Sequence, residues 1–234
     1  MERDRNIDTT QRAGTNPENT PAWIRWAGRH LPELRVMKAA GILGVGNKEW
    51  RNVAEHLLAT NAVAVFVGNK LAQSGVKIDL KTIDQASILH DSTKRLEREQ
   101  GITAANEHDY SIRGNFLQRF GYSFEVLAAT EYTGRVPEIF IDDPEKRREA
   151  VGQLPMEWLV VAYADARTRN TDVVSLEEAR DLNKEKIPED AGFYDQWHAF
   201  YKDVEDRIMS EVSEPDFGPQ SVNNDSVIGM VRSA

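Results

Sequence analysis

Cysteine is absent from the 234 residues of this chain. A disulfide framework and a zinc site built from thiolates are therefore excluded. Any bound metal must be held by His, Asp and Glu side chains, whose nitrogen and oxygen donors leave Mn, Co, Fe, Mg, Ni and Zn open. The candidate ligands are therefore the five histidines and the acidic residues.

Long apolar runs are absent as well. The run from Ala62 to Val67, for example, is far shorter than the roughly 20 apolar residues that cross a bilayer. The first residues, Met1 to Arg5, lead into a polar stretch without the apolar core of a signal peptide. We therefore expect a cytoplasmic protein with no membrane partner.

Basic residues are outnumbered by acidic ones. The chain has 29 Lys and Arg against 38 Asp and Glu, with a net charge of -9 and a pI of about 5.2. A protein that binds nucleic acids in general would present a basic face, so this balance argues against that class. It does not exclude a small anionic substrate, because an acidic protein can contain a local basic pocket.

Alternation at period two, which marks half-buried strands, is not sustained anywhere, so we expect almost no sheet. Hydrophobic residues make up 40% and charged residues 29%, which is typical of a soluble globular protein. The predicted fold class is all-α, with one helical domain over residues 21–211. We expect a flexible N-terminal arm at 1–20 and a disordered or extended C-terminal tail at 212–234.

Apolar spacing, caps and breakers locate the helices of this domain. The strongest helix runs from about Glu49 to Ser74, and the next covers 79–98 with Asp79 or Thr82 as its cap. Others are expected from Pro21 to Pro32, at 33–43, 110–119 and 123–130, at 145–168 with an interruption near 152–155, after a capping box at Ser175, and at 193–211.

Two tryptophans of the first helix bear on assembly. Trp23 and Trp26 lie on its apolar face together with Ile24. Such a face could pack on a second subunit, which makes a homo-oligomer one expectation.

Three apolar segments carry side chains that are costly to bury. His56 lies in one, the pair His90-Asp91 ends another, and Asp165 lies in the run 160–167. A buried ion costs several kcal/mol unless it is paired or bound to a metal. Taken singly, each could be a hydrogen-bonded core residue. Taken together, His56, His90, Asp91 and Asp165 are interpreted as the ligands of one divalent cation.

These residues, in this order, resemble the HD-domain superfamily of metal-dependent phosphohydrolases. The resemblance spans roughly residues 33–183 and rests on three runs: Asn52-Val53-Ala54-Glu55-His56, Ile88-Leu89-His90-Asp91-Ser92-Thr93-Lys94 and Tyr163-Ala164-Asp165-Ala166-Arg167. It implies a single HD-type helical bundle whose four ligands hold one divalent metal. It also implies hydrolysis of a phosphate ester or anhydride in a small phosphorylated metabolite, with a nucleotide as the leading substrate.

Further residues are expected around this metal. A divalent cation acidifies bound water, and Asp91 could receive the proton of that water as well as ligate. Lys94 lies one helical turn after Asp91 and can meet a phosphate, although a solvated surface lysine is the alternative. His108 lies in a stretch similar to the His-x-x-x-x-Gly run of some family branches. We expect it to contact substrate phosphate or to act as an acid on the leaving group, unless it is a surface loop residue.

Arginines supply bidentate contacts to phosphate. Arg35, at a position loosely like the family's phosphate-binding arginine, and Arg51, which precedes His56, are the main candidates beside Lys94. Arg113 and Arg167 are weaker candidates. Each of these arginines could instead be a surface residue.

Two other functions stay open. An intact metal site could bind a nucleotide signal without hydrolysing it, which would make the protein a non-catalytic regulator. A di-iron HD-type oxygenase would need a larger set of ligands, and the region after His108 lacks the further histidines for it.

Overall fold

The computed structural model describes residues 17–44, 50–101, 111–134 and 136–234. The predicted all-α class is confirmed over these ranges. The α-helices are α1 (Thr20–Gly28), α2 (Leu31–Ala39), α3 (Arg51–Gln73), α4 (Leu80–Leu89), α5 (Lys94–Glu99), α6 (Ser111–Gln118), α7 (Phe124–Glu131), α8 (Pro144–Gln153), α9 (Met156–Arg167), α10 (Leu176–Lys186), α11 (Ala191–Glu211) and α12 (Asn224–Ser233). None of the helices described is long and apolar enough to cross a membrane.

The short segments between the helices add little further structure. Strands β1 (Thr168–Arg169) and β2 (Asp172–Val173) form an antiparallel hairpin, with Thr168 opposite Val173 and Arg169 opposite Asp172. Single 3-10 turns cover Pro17–Asn19, Pro137–Phe140, Pro188–Asp190 and Pro219–Ser221. The near absence of sheet in the described chain agrees with the lack of period-two alternation.

Helices α3, α4 and α9 form the centre of the bundle, and α7 and α11 pack beside them. Leu57, Val63 and Val67 of α3 are fully buried, and every residue from 159 to 164 in α9 is buried. A helix that is covered on most sides must be apolar on most sides, as the sequence of these segments predicts. A ligand side chain on α3 or α9 is therefore held by a rigid core.

The predicted helix over 79–98 is two helices in the structure. Asp79 caps α4 as expected, by accepting a hydrogen bond from the amide of Lys81. However, α4 ends at Leu89 and α5 begins only at Lys94. The His-Asp pair therefore lies in a turn between two helices.

A hydrogen bond of His90 accounts for this break. Its ring Nδ1 donates to the carbonyl of Ser87 at 2.7 Å. In a continuous helix, that carbonyl would accept from the amide of Asp91, four residues further along. A side chain that binds such a carbonyl competes with the helical backbone. The bond therefore favours the end of α4 at this point.

Three other sequence signals are confirmed. The interruption predicted near 152–155 separates α8 from α9. Ser175 caps α10 by accepting a hydrogen bond from the amide of Glu178. Gly75 follows α3 with a φ of 84°, the left-handed conformation that its position at a helix end requires.

The predicted N-terminal arm is partly folded. Residues 1–16 lie outside the described residues, whereas 17–20 belong to the helical domain. Asn19 is buried, and its side-chain oxygen accepts two hydrogen bonds from the guanidinium of Arg232. The two ends of the domain are thus joined.

Trp26 is a core residue. It is buried, and its indole N–H donates to the side chain of Asn61 at 2.9 Å. This ring is therefore not available to a second subunit, while Trp23 is only partly buried. A homo-oligomer stays a prediction.

The C-terminal segment 212–234 is packed where the sequence predicts a disordered or extended tail. It ends in α12, which contacts α1 and α3. Val222, Val227 and Val231 are buried. These valines are too few for a strong periodic signal, so their burial depends on the surface that the bundle presents.

Arg167, the last residue of α9, ties this segment to the bundle. Its buried guanidinium forms an ion pair with Glu205 of α11 at 3.1 Å and donates to the hydroxyl of Tyr163. It also donates to the carbonyls of Val174 and Val222, the latter at 2.7 Å. These contacts join the C-terminal segment to α9 and α11.

We expect the substitution Arg167→Met to lower the free energy of unfolding by about 3 kcal/mol, because it removes one of the two cations paired with the buried Glu205 and the donor to two carbonyls. Urea unfolding followed by circular dichroism measures this change. Arg148→Met, at an exposed position on α8, is the matched control and should shift the midpoint little. Equal midpoints for the two variants would contradict the role given to Arg167.

Candidate metal centre

Three of the four predicted ligands converge on one point. They come from separate elements: His56 from α3, His90 from the turn after α4, and Asp165 from α9. One donor atom from each lies within 4.8 Å of the other two. Donors that each lie about 2.0–2.2 Å from a common cation fall within such a spacing.

The carboxylate of Asp165 is the centre of this group. Its Oδ1 lies 3.0 Å from Nε2 of His56 and 3.2 Å from Nε2 of His90. The two imidazole rings meet edge to face, with their centres 5.4 Å apart. One carboxylate oxygen therefore faces two ring nitrogens.

The hydrogen bond from His90 to Ser87 also prepares the ring as a metal ligand. Because Nδ1 donates to a carbonyl, Nε2 of the neutral ring carries the lone pair. Nε2 is buried and, within the described part of the chain, has no hydrogen-bond partner despite its closeness to Asp165. A cation between the two groups would satisfy both, with the carbonyl holding the ring in orientation.

Burial and charge act in opposite directions on the pKa values here. Burial would raise the pKa of Asp165, but the charge of His90 and a hydrogen bond from His56 hold it well below its ordinary value. Burial would lower the pKa of His90, but the charge of Asp165 raises it overall. The group without a metal therefore favours an ionised carboxylate beside a protonated ring, and a cation would have to displace that proton.

Asp91, the fourth predicted ligand, lies beside the group of three without joining it. Its Oδ2 forms an ion pair with Nζ of Lys94 at 2.5 Å. Burial opposes ionisation of Asp91, but the charges of Lys94 and His90 hold its pKa far below the ordinary value. The carboxylate is therefore ionised in the same pocket, and direct ligation by Asp91 stays a prediction.

The pocket around these residues has a volume of about 500 Å³. The basic residues that line it in the described chain are Lys94, Arg98, Arg113, Arg169 and Lys186. The acidic residues that line it are Asp91 and Asp165. Basic side chains are therefore in excess here, although the whole chain has a net charge of -9.

The two main predicted phosphate-binding arginines, Arg35 and Arg51, do not line this pocket. Arg35 is exposed on α2, and Arg51 is exposed and paired with Glu55 at 2.6 Å. Neither side chain lines the described pocket, because each points into solvent, whereas Lys94 does line it. His108 lies outside the described residues.

Three other basic residues of the pocket were not predicted from the sequence: Arg98, Arg169 and Lys186. Arg169 had an available signal, because it follows Asp165 by four residues, about one helical turn. Arg98 similarly follows Lys94 by four residues. Lys186 had none, because only the packing of α10 brings it to the pocket.

Two tryptophans stand beside these cations. The guanidinium carbon of Arg98 lies 5.5 Å from the ring centre of Trp50, and that of Arg169 lies 5.7 Å from Trp197. Both rings line the pocket. Such contacts orient guanidinium groups that would otherwise be mobile.

Comparison with models of protein families, with curated proteins and with solved structures finds no match to this chain.

We expect the variants His56→Ala, His90→Ala and Asp165→Asn to lose a bound divalent cation, because each removes one of the converging donors. Calorimetric titration with Mn, Co and Zn salts, together with elemental analysis, measures affinity and stoichiometry. His198→Ala is the matched control, since His198 lies by Glu177, away from the pocket. Unchanged metal binding in all three ligand variants would contradict the assigned centre.

Metal affinity should also depend on pH. Because the pKa of His90 is raised in the metal-free protein, protons compete with the cation at higher pH than for an ordinary histidine. We expect affinity to fall as pH is lowered from about 8 to about 5. Titration across this range in wild type checks it, and an affinity that is independent of pH would argue against ligation by the imidazoles.

Proposed function

We propose that this protein is a metal-dependent phosphohydrolase of the HD type that acts on a small phosphorylated metabolite, with a nucleotide as the leading substrate. The observation that carries this proposal is the juxtaposition of His56, His90 and Asp165 with basic side chains in one pocket. Imidazole nitrogens and carboxylate oxygens are suitable ligands for a divalent cation. The basic residues would stabilise a phosphate that is bound to the same cation.

The cation and two nearby residues would each have a separate role in the reaction. A divalent cation in this centre would acidify water and neutralise charge on a phosphoryl oxygen. Asp91 lines the same pocket and would accept a proton from an attacking water. Lys94 is placed to balance the charge that accumulates on the phosphoryl oxygens.

Arg113 is a better candidate for phosphate binding than the sequence indicates. It is buried, and its guanidinium donates to Glu97 at 3.3 Å and to the carbonyl of Thr130 at 2.8 Å. Glu97 is fixed in turn by the hydroxyl of Thr93 at 2.6 Å. An arginine held in this way at a pocket wall requires little reorganisation when an anion binds.

The pocket also fits a nucleotide in size and in chemistry. Its volume of about 500 Å³ lies in the range typical of small-molecule sites. Trp50, which is only partly buried, offers aromatic surface next to Arg98. These features support a substrate with a planar ring as well as a phosphate.

The test is release of phosphate from a panel of nucleotides by protein loaded with Mn, Co, Mg or Fe. We expect Asp91→Asn and Lys94→Gln each to lower kcat by about 100-fold, since each removes a charge that assists proton transfer or phosphoryl binding. Lys146→Gln, at an exposed position on α8, is the matched control and should keep wild-type activity.

The alternatives predict other results. Tight nucleotide binding without any hydrolysis would favour a regulator that does not catalyse. Absence of both binding and turnover in protein shown to contain metal would contradict the proposal.

A further inference from the structure

Arg169 is a pocket cation that the proposed chemistry does not use. Its Nη1 donates to the carbonyl of Thr168 at 2.8 Å and to that of Asp165 at 3.3 Å. Its guanidinium lies beside Trp197. Its Nε is buried and has no hydrogen-bond acceptor in the described part of the chain. The group is therefore fixed in place with a donor left over.

This arrangement holds the guanidinium at the wall of the pocket at a cost in free energy. A buried donor without an acceptor loses its hydration with no compensation. Burial also lowers the pKa of Arg169, although the charge of Asp165 acts in the opposite direction. A phosphate would supply acceptors and charge together, because a guanidinium presents its donors in a planar fork that matches phosphate oxygens.

The hairpin of β1 and β2 positions this arginine. Asn170, at its turn, has a φ of 54°, a left-handed conformation that Asn tolerates better than most residues. The hydroxyl of Thr168 donates to the carbonyl of Ala164 at 2.8 Å. The amide of Val173 donates to the side chain of Asn224 in α12 at 2.9 Å. The hairpin is thus anchored on both sides.

A second cation comes from α10. Lys186 and Asn183 line the pocket from that helix, which packs on α9 and α11. By contrast, Lys94 belongs to α5 and is engaged with Asp91. The basic residues that line the pocket therefore come from different elements: Lys94 from α5, Arg169 from β1 and Lys186 from α10.

We infer that Arg169, Asn183 and Lys186 form a second anion subsite, which binds a phosphate of the substrate other than the one that is hydrolysed. The inference rests on the proposed function, because it assigns Lys94 to the reacting phosphate. It narrows the substrate class to compounds with at least two phosphates, such as a nucleoside diphosphate or triphosphate. A monophosphate would leave this subsite empty.

The test measures binding of inorganic tripolyphosphate to the metal-free full-length chain by calorimetry. We expect Arg169→Gln and Lys94→Gln each to weaken binding about tenfold, the scale of one lost charge-assisted contact. If the subsites are separate, the two effects should add in the double variant, to about 100-fold. Arg148→Gln, exposed on α8, is the matched control and should bind as wild type does.

The outcomes separate this inference from the proposed function. Additive losses without any nucleotide turnover would support the second subsite and contradict the hydrolase. Turnover of nucleotides with unchanged tripolyphosphate binding in Arg169→Gln would support the hydrolase and contradict the second subsite. An effect of Arg169→Gln that disappears once Lys94 is replaced would show one shared anion site and overturn the inference.

Two further variants keep the test decisive if Arg169→Gln fails to fold. Lys186→Gln changes an exposed helix end and should weaken tripolyphosphate binding severalfold without loss of structure. Asn170→Gly preserves the left-handed turn, because glycine adopts this φ freely, and should keep the binding of wild type. Unchanged binding in Lys186→Gln would count against the subsite.

Discussion

The arrangement of the whole site depends on one partly buried carboxylate. Two imidazoles from other elements lie against Asp165 and stabilise its charge at the edge of a rigid core. Helices α3, α4 and α9 must therefore pack in one register to bring the three side chains together. A cation is the natural completion of such a group, since Nε2 of His90 is left without a hydrogen-bond partner among the described residues.

The end of α9 serves both structure and chemistry. Tyr163 and Arg167, one turn apart, face α11 and the C-terminal segment, where Glu205 completes a buried network. Asp165 and Arg169 face the pocket. The contacts that hold the C-terminal segment thus also hold the strand that carries Arg169. Rigidity near a charged site matters because fixed groups need not reorganise when charge develops.

The pocket has an excess of basic residues, whereas the protein as a whole is acidic. With a net charge of -9, the chain as a whole repels phosphorylated molecules, and this repulsion weakens over about 10 Å at moderate salt. Local cations act within that distance, where screening is less effective because Arg113 and His90 are buried. The balance of charge in the composition therefore says little about the charge that a bound ligand meets.

The sequence by itself determined most of the helices and the types of ligand, because both depend on local patterns. Apolar spacing, the Asp79 and Ser175 caps and the break near 152–155 act within a few residues of each other. Even the end of α4 has a local cause, because His90 competes with the helical backbone for the carbonyl of Ser87. That His56, His90 and Asp165 are costly to bury could also be predicted without knowing their neighbours.

Only the tertiary structure decided which charges meet at the site. Arg35 and Arg51 look as suitable as Arg169 and Lys186 in a sequence, because an arginine or lysine has the same chemistry wherever it stands. Their positions are set by packing between segments far apart in the chain, which no local pattern encodes. The burial of α12 and the pairing of Asp91 with Lys94 were decided in the same way.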